Sequence, residues 1–212
     1  MERIICLLVG YCLGIIQTGF IYGKIKNIDI RKHGSGNAGA TNALRTLGWK
    51  AGATTFFGDA LKSVIAVLIA KAIFADSPMM LVYAMYAGLG VVLGHNYPFY
   101  LKFKGGKGVA STAGLMFAID PLIGITMLIV FLGIFLSTKY VSLGSLTIML
   151  VAVIELIVFG QLGKYDIAAA GLFEMYGIAI FLAALCWWRH RANIQRLLKG
   201  NENKIIFSQI KK

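Results

Sequence analysis

Charge is scarce in this chain, and acidic charge is the scarcest. Of 212 residues only 14% are charged, 21 basic against 9 acidic. An ordinary soluble domain carries about a quarter of its residues as charge, so that class is excluded. Cysteine is nearly absent. Cys6, Cys12 and Cys186 all fall in apolar runs and form no CxxC pair, which reads as packing rather than disulfide or metal chemistry. The three histidines and nine acids gather in no metal-ligand spacing. Proline occurs three times, and only Pro121 interrupts a long apolar run.

What the chain has instead is hydrophobicity. It is 58% hydrophobic with a mean hydropathy of +0.75, and its charge-free stretches reach bilayer length. The expected spans are 4–23, 52–75, 79–97, 109–136, 144–159 and 171–188, in one integral-membrane domain covering 1–212. The first is not followed by an A-x-A-like site and carries Gln17, so it reads as a retained span. The run 109–136 decides the count. Proline disfavours helix at the residue before it, so Asp120-Pro121 suits a hinge that divides the run into two helices. Positive charge sorts to the cytoplasmic side. The basic segments 24–50, 102–107 and the tail from 189 share one side only if that hinge is real. The expectation is an all-α bundle of seven transmembrane helices, some short, with the N-terminus outside and the C-terminus cytoplasmic. The net charge of +12 then belongs to loops facing anionic lipid heads. Because it is confined to short loops between spans, nucleic acid is not the expected partner.

Four polar segments fall on that face. The first, Gly34-Ser35-Gly36-Asn37-Ala38-Gly39-Ala40-Thr41-Asn42, is rich in hydrogen-bond donors, and Arg45 adds a guanidinium fork able to hold a phosphate. Its bland alternative is a flexible loop with an N-cap at Asn42. The second, 94–111, brackets Gly105-Gly106 between Lys104 and Lys107 before Gly108. A glycine-rich loop opening a helix is a ready anion site. It is not a Walker loop, since Gly108 stands where Ser or Thr is required, so nucleotide hydrolysis is not indicated. His95 reads as an interfacial histidine. Ser142 reads as a helix N-cap or as a hydroxyl aimed into a site. In the tail, His190, Asn193 and Arg196 fall at helical spacing and share one face; the alternative is a basic helix lying on lipid heads. Inside the second span, Asp59 and Lys62 share a helix face. Intramembrane charge is costly, so they read either as a mutual salt bridge or, for Lys62, as a phosphate contact.

The segments 34–42, 94–111 and 190–204, together with Asp59–Lys62 and Tyr140-Val141-Ser142, closely resemble those of the PlsY family. These are bacterial membrane glycerol-3-phosphate acyltransferases that use acyl phosphate. Two differences stand out: Ile15-Ile16-Gln17 replaces a Ser-x-Pro common in the family, and Ser111 replaces a threonine. The resemblance implies a seven-helix fold in the bacterial inner membrane with its active site at the cytoplasmic face. It implies transfer of an acyl group from acyl phosphate to the 1-hydroxyl of glycerol 3-phosphate, giving lysophosphatidate and phosphate, the first acylation of phospholipid synthesis. It also implies a soluble enzyme that makes the acyl phosphate, and no cofactor.

The residues suit that chemistry. None of His33, His95 and His190 has Asp five residues on, so the His-x4-Asp arrangement of soluble and peripheral acyltransferases is absent. The expected catalytic set is His190, Ser142 and Lys104. Ser35, Gly36, Asn37, Thr41, Asn42 and Arg45 are expected to hold one phosphate. Lys104, Lys107 and the backbone of Gly105, Gly106 and Gly108 are expected to hold the acyl phosphate, with Asn193 and Arg196 completing substrate binding. The base is either His190 or an oxygen of the acyl phosphate. The alternative function is a transporter or channel for a phosphate-bearing anion, which would call for an internal repeat or polar residues at midplane in several spans; neither stands out.

Overall fold

The computed structural model describes residues 1–205; the end of the basic tail, 206–212, lies outside the described residues. The described chain is all helical, with ten α-helices: α1 (Glu2–Gly14), α2 (Thr18–Ile25), α3 (Ala40–Leu47), α4 (Trp49–Ile73), α5 (Met80–Asn96), α6 (Val109–Ile119), α7 (Pro121–Thr138), α8 (Val141–Gln161), α9 (Ala169–Arg189) and α10 (Arg191–Leu198). Among the described residues, four segments are long and apolar enough to cross a membrane: Glu2–Ile25, Pro121–Thr138, Val141–Gln161 and Ala169–Arg189. Large apolar side chains such as Leu68, Ile129, Ile154 and Phe173 cover the outside, as they do when lipid is the solvent.

Small residues set the packing. A Cβ at Gly10 of α1 would lie 2.0 Å from the Ala87 carbonyl oxygen of α5, and one at Gly90 would lie 2.1 Å from that of Leu7. Only bare backbone permits so close an approach, the usual means of holding helices together where water does not drive them. Beneath this pair α4 lies against α5 and α6, and α7 pairs with α8. Met85, Leu115, Met149, Met175 and Leu182 fill the core between them.

Two helices are broken, and one helix mends both. The run 109–136 divides at Asp120–Pro121 as its proline predicts. Asp120 caps α7 by accepting from the Leu122 amide at 3.1 Å, and Pro121 occupies the first turn, where it lacks no needed donor. The carbonyls that end α6 are taken by Lys71 of α4, at 2.6 Å to Ala118 and 3.2 Å to Ile119. The second break was not anticipated. The expected single span 4–23 divides between α1 and α2, and Lys62 of α4 donates to the freed carbonyls of Gly14 (3.1 Å) and Ile16 (2.7 Å). Gln17, one of the three residues that differ from the family pattern, donates to the His95 carbonyl at 3.0 Å and ties the break to α5. A bare carbonyl in an apolar setting costs about 1–3 kcal/mol, which explains why polar side chains converge at both breaks.

Lys62 also pairs with Asp59 at 3.0 Å, so the salt-bridge reading is correct. The rival reading of Lys62 as a phosphate ligand fails, because its donors are spent on Asp59 and the two carbonyls.

Candidate active site

The loop 34–39, α3, the loop 102–108, the N-terminus of α8 and the tail meet around one cavity of about 1040 Å³. Every residue expected at the site lines it except Gly106. Five cations reach it, Arg45, Lys104, Lys107, Arg189 and Arg196, against two carboxylates, Asp59 and Glu202. Its other end is apolar, walled by Phe56, Phe57, Leu61 and Val64 of α4, Phe117 of α6, and Met127, Leu128 and Phe131 of α7.

The first loop is held by Asn42. Its Oδ1 accepts from the Ser35 amide at 2.8 Å, and its Nδ2 donates to the carbonyls of Ile30 (2.8 Å), His33 (3.1 Å) and Asn37 (2.9 Å). The side chain is buried and its hydrogen-bonding capacity is taken up by the backbone. Asn42 therefore shapes the loop rather than offering its amide to a ligand. Nor is it an N-cap: Gly39 holds that position and Asn42 lies inside α3. Asn37 accepts from the Gly39 amide at 2.9 Å and leans toward the Gly105 carbonyl. Arg45 donates to the Asn203 carbonyl at 3.1 Å, leaving the rest of its fork for the cavity.

The second loop departs from expectation. The Gly105 and Gly106 amides do not face a ligand; they donate to the carbonyls of Asn96 (3.2 Å) and His95 (3.0 Å). Their own carbonyls are gripped by Arg189, at 3.1 Å and 2.8 Å. These bonds fold the loop so that the next amides, from Lys107 through Ser111, have no backbone partner among the described residues. That is the N-terminus of α6, capped by Gly108 at φ +82, a left-handed conformation that favours glycine. Free amides and helix dipole together favour an anion there. Arg189 is a residue the sequence reading missed. Its only signal was its place beside His190.

The tail folds back as a strap. Glu202 accepts from Asn193 at 2.7 Å and from Arg196 at 2.8 Å. Asn193 in turn accepts from Lys107. The amide of Ile205 reaches the Lys139 carbonyl at 3.0 Å. Asn193 thus links Lys107 to Glu202, and Glu202, also missed, organises the cations around it. Lys107 is half buried, and that burial lowers its ammonium to about 8. His190 lies at the junction of α9 and α10. Burial, and then the neighbouring Lys107 charge, push it down to about 3, so it is neutral at ordinary pH. Its Nδ1 lies 2.8 Å from the Cys186 carbonyl, which places the proton on Nδ1 and leaves Nε2 as an acceptor. Ser142 is not an N-cap, since Tyr140 precedes the helix; its buried hydroxyl has no partner among the described residues. Lys104 is exposed and ties to no side chain among the described residues.

A cationic pocket at a helix N-terminus, continuous with an apolar groove, defines a membrane protein that handles amphiphilic phosphates. The sequence profile described as "Glycerol-3-phosphate acyltransferase" matches residues 4–200. Proteins named glycerol-3-phosphate acyltransferase are similar over nearly their whole lengths. That of Clostridioides difficile is 46% identical over 207 residues, covering 95% of each chain. That of Aquifex aeolicus is 43% identical over 204 residues, covering 96% of this chain and all of its own. The crystal structure of PlsY (YgiH), an integral membrane glycerol 3-phosphate acyltransferase, in its glycerol 3-phosphate form superposes with a TM-score of 0.86 at 40% identity, over 99% of this chain and 98% of that one. Its lysophosphatidic acid form gives 0.84 at the same identity and coverage. The chain belongs to the glycerol-3-phosphate acyltransferase family and is a membrane acyltransferase.

Proposed function

We propose that this chain acylates the 1-hydroxyl of glycerol 3-phosphate, with a long-chain acyl phosphate as donor, to give lysophosphatidate and phosphate. The observation that carries this is the single cavity with a cationic, amide-lined head and an apolar groove. Both substrates bear a phosphate, and one bears an acyl chain. In this reading residues 1–212 act as one catalytic unit of seven spans in a bacterial inner membrane. The N-terminus is outside and the cavity head opens to the cytoplasm, where a soluble enzyme supplies the acyl phosphate.

In the proposed reaction the 1-hydroxyl oxygen attacks the acyl carbonyl carbon. The ester C–O bond forms, the bond from that carbon to the phosphate oxygen breaks, and phosphate leaves with the electron pair. Ser35, Thr41 and Arg45 hold one phosphate. Lys104, Lys107 and the free amides at the start of α6 hold the other and stabilise the developing oxyanion. Ser142 and Nε2 of His190 orient the attacking hydroxyl. The hydroxyl proton goes to an oxygen of the leaving phosphate, because a histidine held near 3 is a weak base.

Two measurements test this reading. Labelled glycerol 3-phosphate with palmitoyl phosphate or palmitoyl-CoA should give lysophosphatidate from the acyl phosphate alone. Product from neither donor favours an anion transporter. The second is a pH profile. A neutral His190 does not titrate between about pH 5 and 8. Its replacement by alanine should therefore lower kcat by about tenfold, within the loss of one positioning hydrogen bond, and leave the profile's shape unchanged. A wild-type inflection near neutrality that vanishes in the variant would instead make His190 the base.

A further inference from the structure

The apolar end of the cavity has a definite length, which the mechanism above does not use. α6 packs on α4 along one side and on α7 along the other, so its outward face floors a trough between them. Small side chains keep that floor low near the head: Ala110, Ala113 and Gly114 line the cavity and are spaced as neighbours on one helix face. The next residue on that face is Phe117. Its side chain lies across α7 at Gly124, where a Cβ would fall 2.6 Å from the Phe117 Cβ and 2.7 Å from its Cδ2. The trough does not run past it. α6 ends just beyond, at Ile119, where Lys71 takes the last carbonyls, and Asp120 accepts from Lys164 and Tyr165. A methylene pushed into that turn would strip polar groups of their partners. The side of the trough is open instead: Leu61 on one rim is 55% exposed, Leu128 on the other 51%, and Phe117 itself 46%.

Resting on the acyl-transfer reading above, the acyl carbonyl sits at the free amides that start α6, and the helix itself measures the distance from there to Phe117. At about 1.5 Å per residue, Phe117 stands roughly 12 Å beyond Val109, the reach of about ten extended carbons. A palmitoyl chain is longer than that. The polar turn blocks it ahead, and the open side faces lipid. We infer that the trough grips about the first ten carbons of the donor and that Phe117 turns the remainder out into the bilayer. The protein then sets a minimum chain length and no maximum, with Phe117 as the residue that fixes where the grip ends.

The test uses the full chain in detergent with glycerol 3-phosphate and butanoyl, decanoyl or palmitoyl phosphate. Each variant is compared with the wild type on the same donor, so that partition of the donor into micelles cancels. Phe117→Ala should lower kcat/KM for decanoyl and palmitoyl phosphate alike by about fourfold relative to butanoyl phosphate, which is too short to reach the ring; that is the scale of uncovering one methylene. Ala113→Leu raises the floor short of Phe117 and should lower both long donors by at least about tenfold relative to butanoyl phosphate. Palmitoyl phosphate gaining on decanoyl phosphate in Phe117→Ala would make the ring an end-stop rather than an exit and overturns the proposal. So does a Phe117→Ala protein that shifts all three donors by one factor, or none. If neither variant folds, the wild type decides. Decanoyl, dodecanoyl and palmitoyl phosphate, dosed by mole fraction in mixed micelles, should then agree in kcat/KM within about twofold, and a steep rise or fall between them overturns the proposal. A wild type that transfers none of the donors refutes the acyl-transfer reading instead.

Discussion

Lys62→Met lowers the unfolding midpoint in detergent by about 10 °C, the consequence of breaking a buried ion pair worth about 3–5 kcal/mol in a chain of this size. The loss has two parts. Asp59 is left as an unpaired carboxylate in an apolar setting, and the carbonyls of Gly14 and Ile16 lose the donor that closes the break between α1 and α2. The two parts separate experimentally. Adding Asp59→Asn removes the stranded charge and recovers part of the midpoint, while the bare carbonyls keep the double variant below wild type. Thermal unfolding of the single and double variants measures both. A single variant that melts with the wild type would mean that the helix break does not depend on Lys62.

The same lysine shows where the sequence was readable. The hinge at Asp120–Pro121 was legible because proline acts locally: it removes a donor and blocks the helix whatever surrounds it. The break after Gly14 has no proline. It exists because Lys62 arrives from elsewhere in sequence to satisfy the freed carbonyls and Gln17 at the break reaches the His95 carbonyl of α5, and that is visible only in three dimensions. The convergence of the polar segments was legible through the sidedness of positive charge. The division of labour inside the segments was not. Asn42 and the Gly105 and Gly106 amides have the right chemistry for a phosphate, yet folding their own loops consumes them. A residue type declares what a group can bond, while the fold decides what it does bond. Arg189 and Glu202 are missed for the complementary reason: each takes its role from a partner distant in sequence or across a turn.

That distinction sets the expectation for the two lysines of the second loop. Lys107 is half buried and tied to Asn193, so it acts as a fixed charge. It is charged below about 8 and neutral above, and KM for the phosphate-bearing substrate should rise as pH climbs through that value. Lys104 is exposed and bound to no side chain among the described residues, so its ammonium is free to follow the charge that builds on the departing phosphate. Interactions that strengthen only as the transition state forms appear in kcat rather than KM. Lys104→Ala should therefore cut kcat by about 10²–10³, the scale of removing one donor to a developing oxyanion, with a smaller change in KM. Lys104→Arg should recover only part of the loss, because a planar fork does not replace a compact charge on a flexible stem. Steady-state kinetics on purified protein decide the matter. A Lys104→Ala variant with wild-type turnover would shift oxyanion stabilisation onto Lys107 and the free amides at the start of α6, while an unchanged kcat with a raised KM would reduce Lys104 to a binding residue.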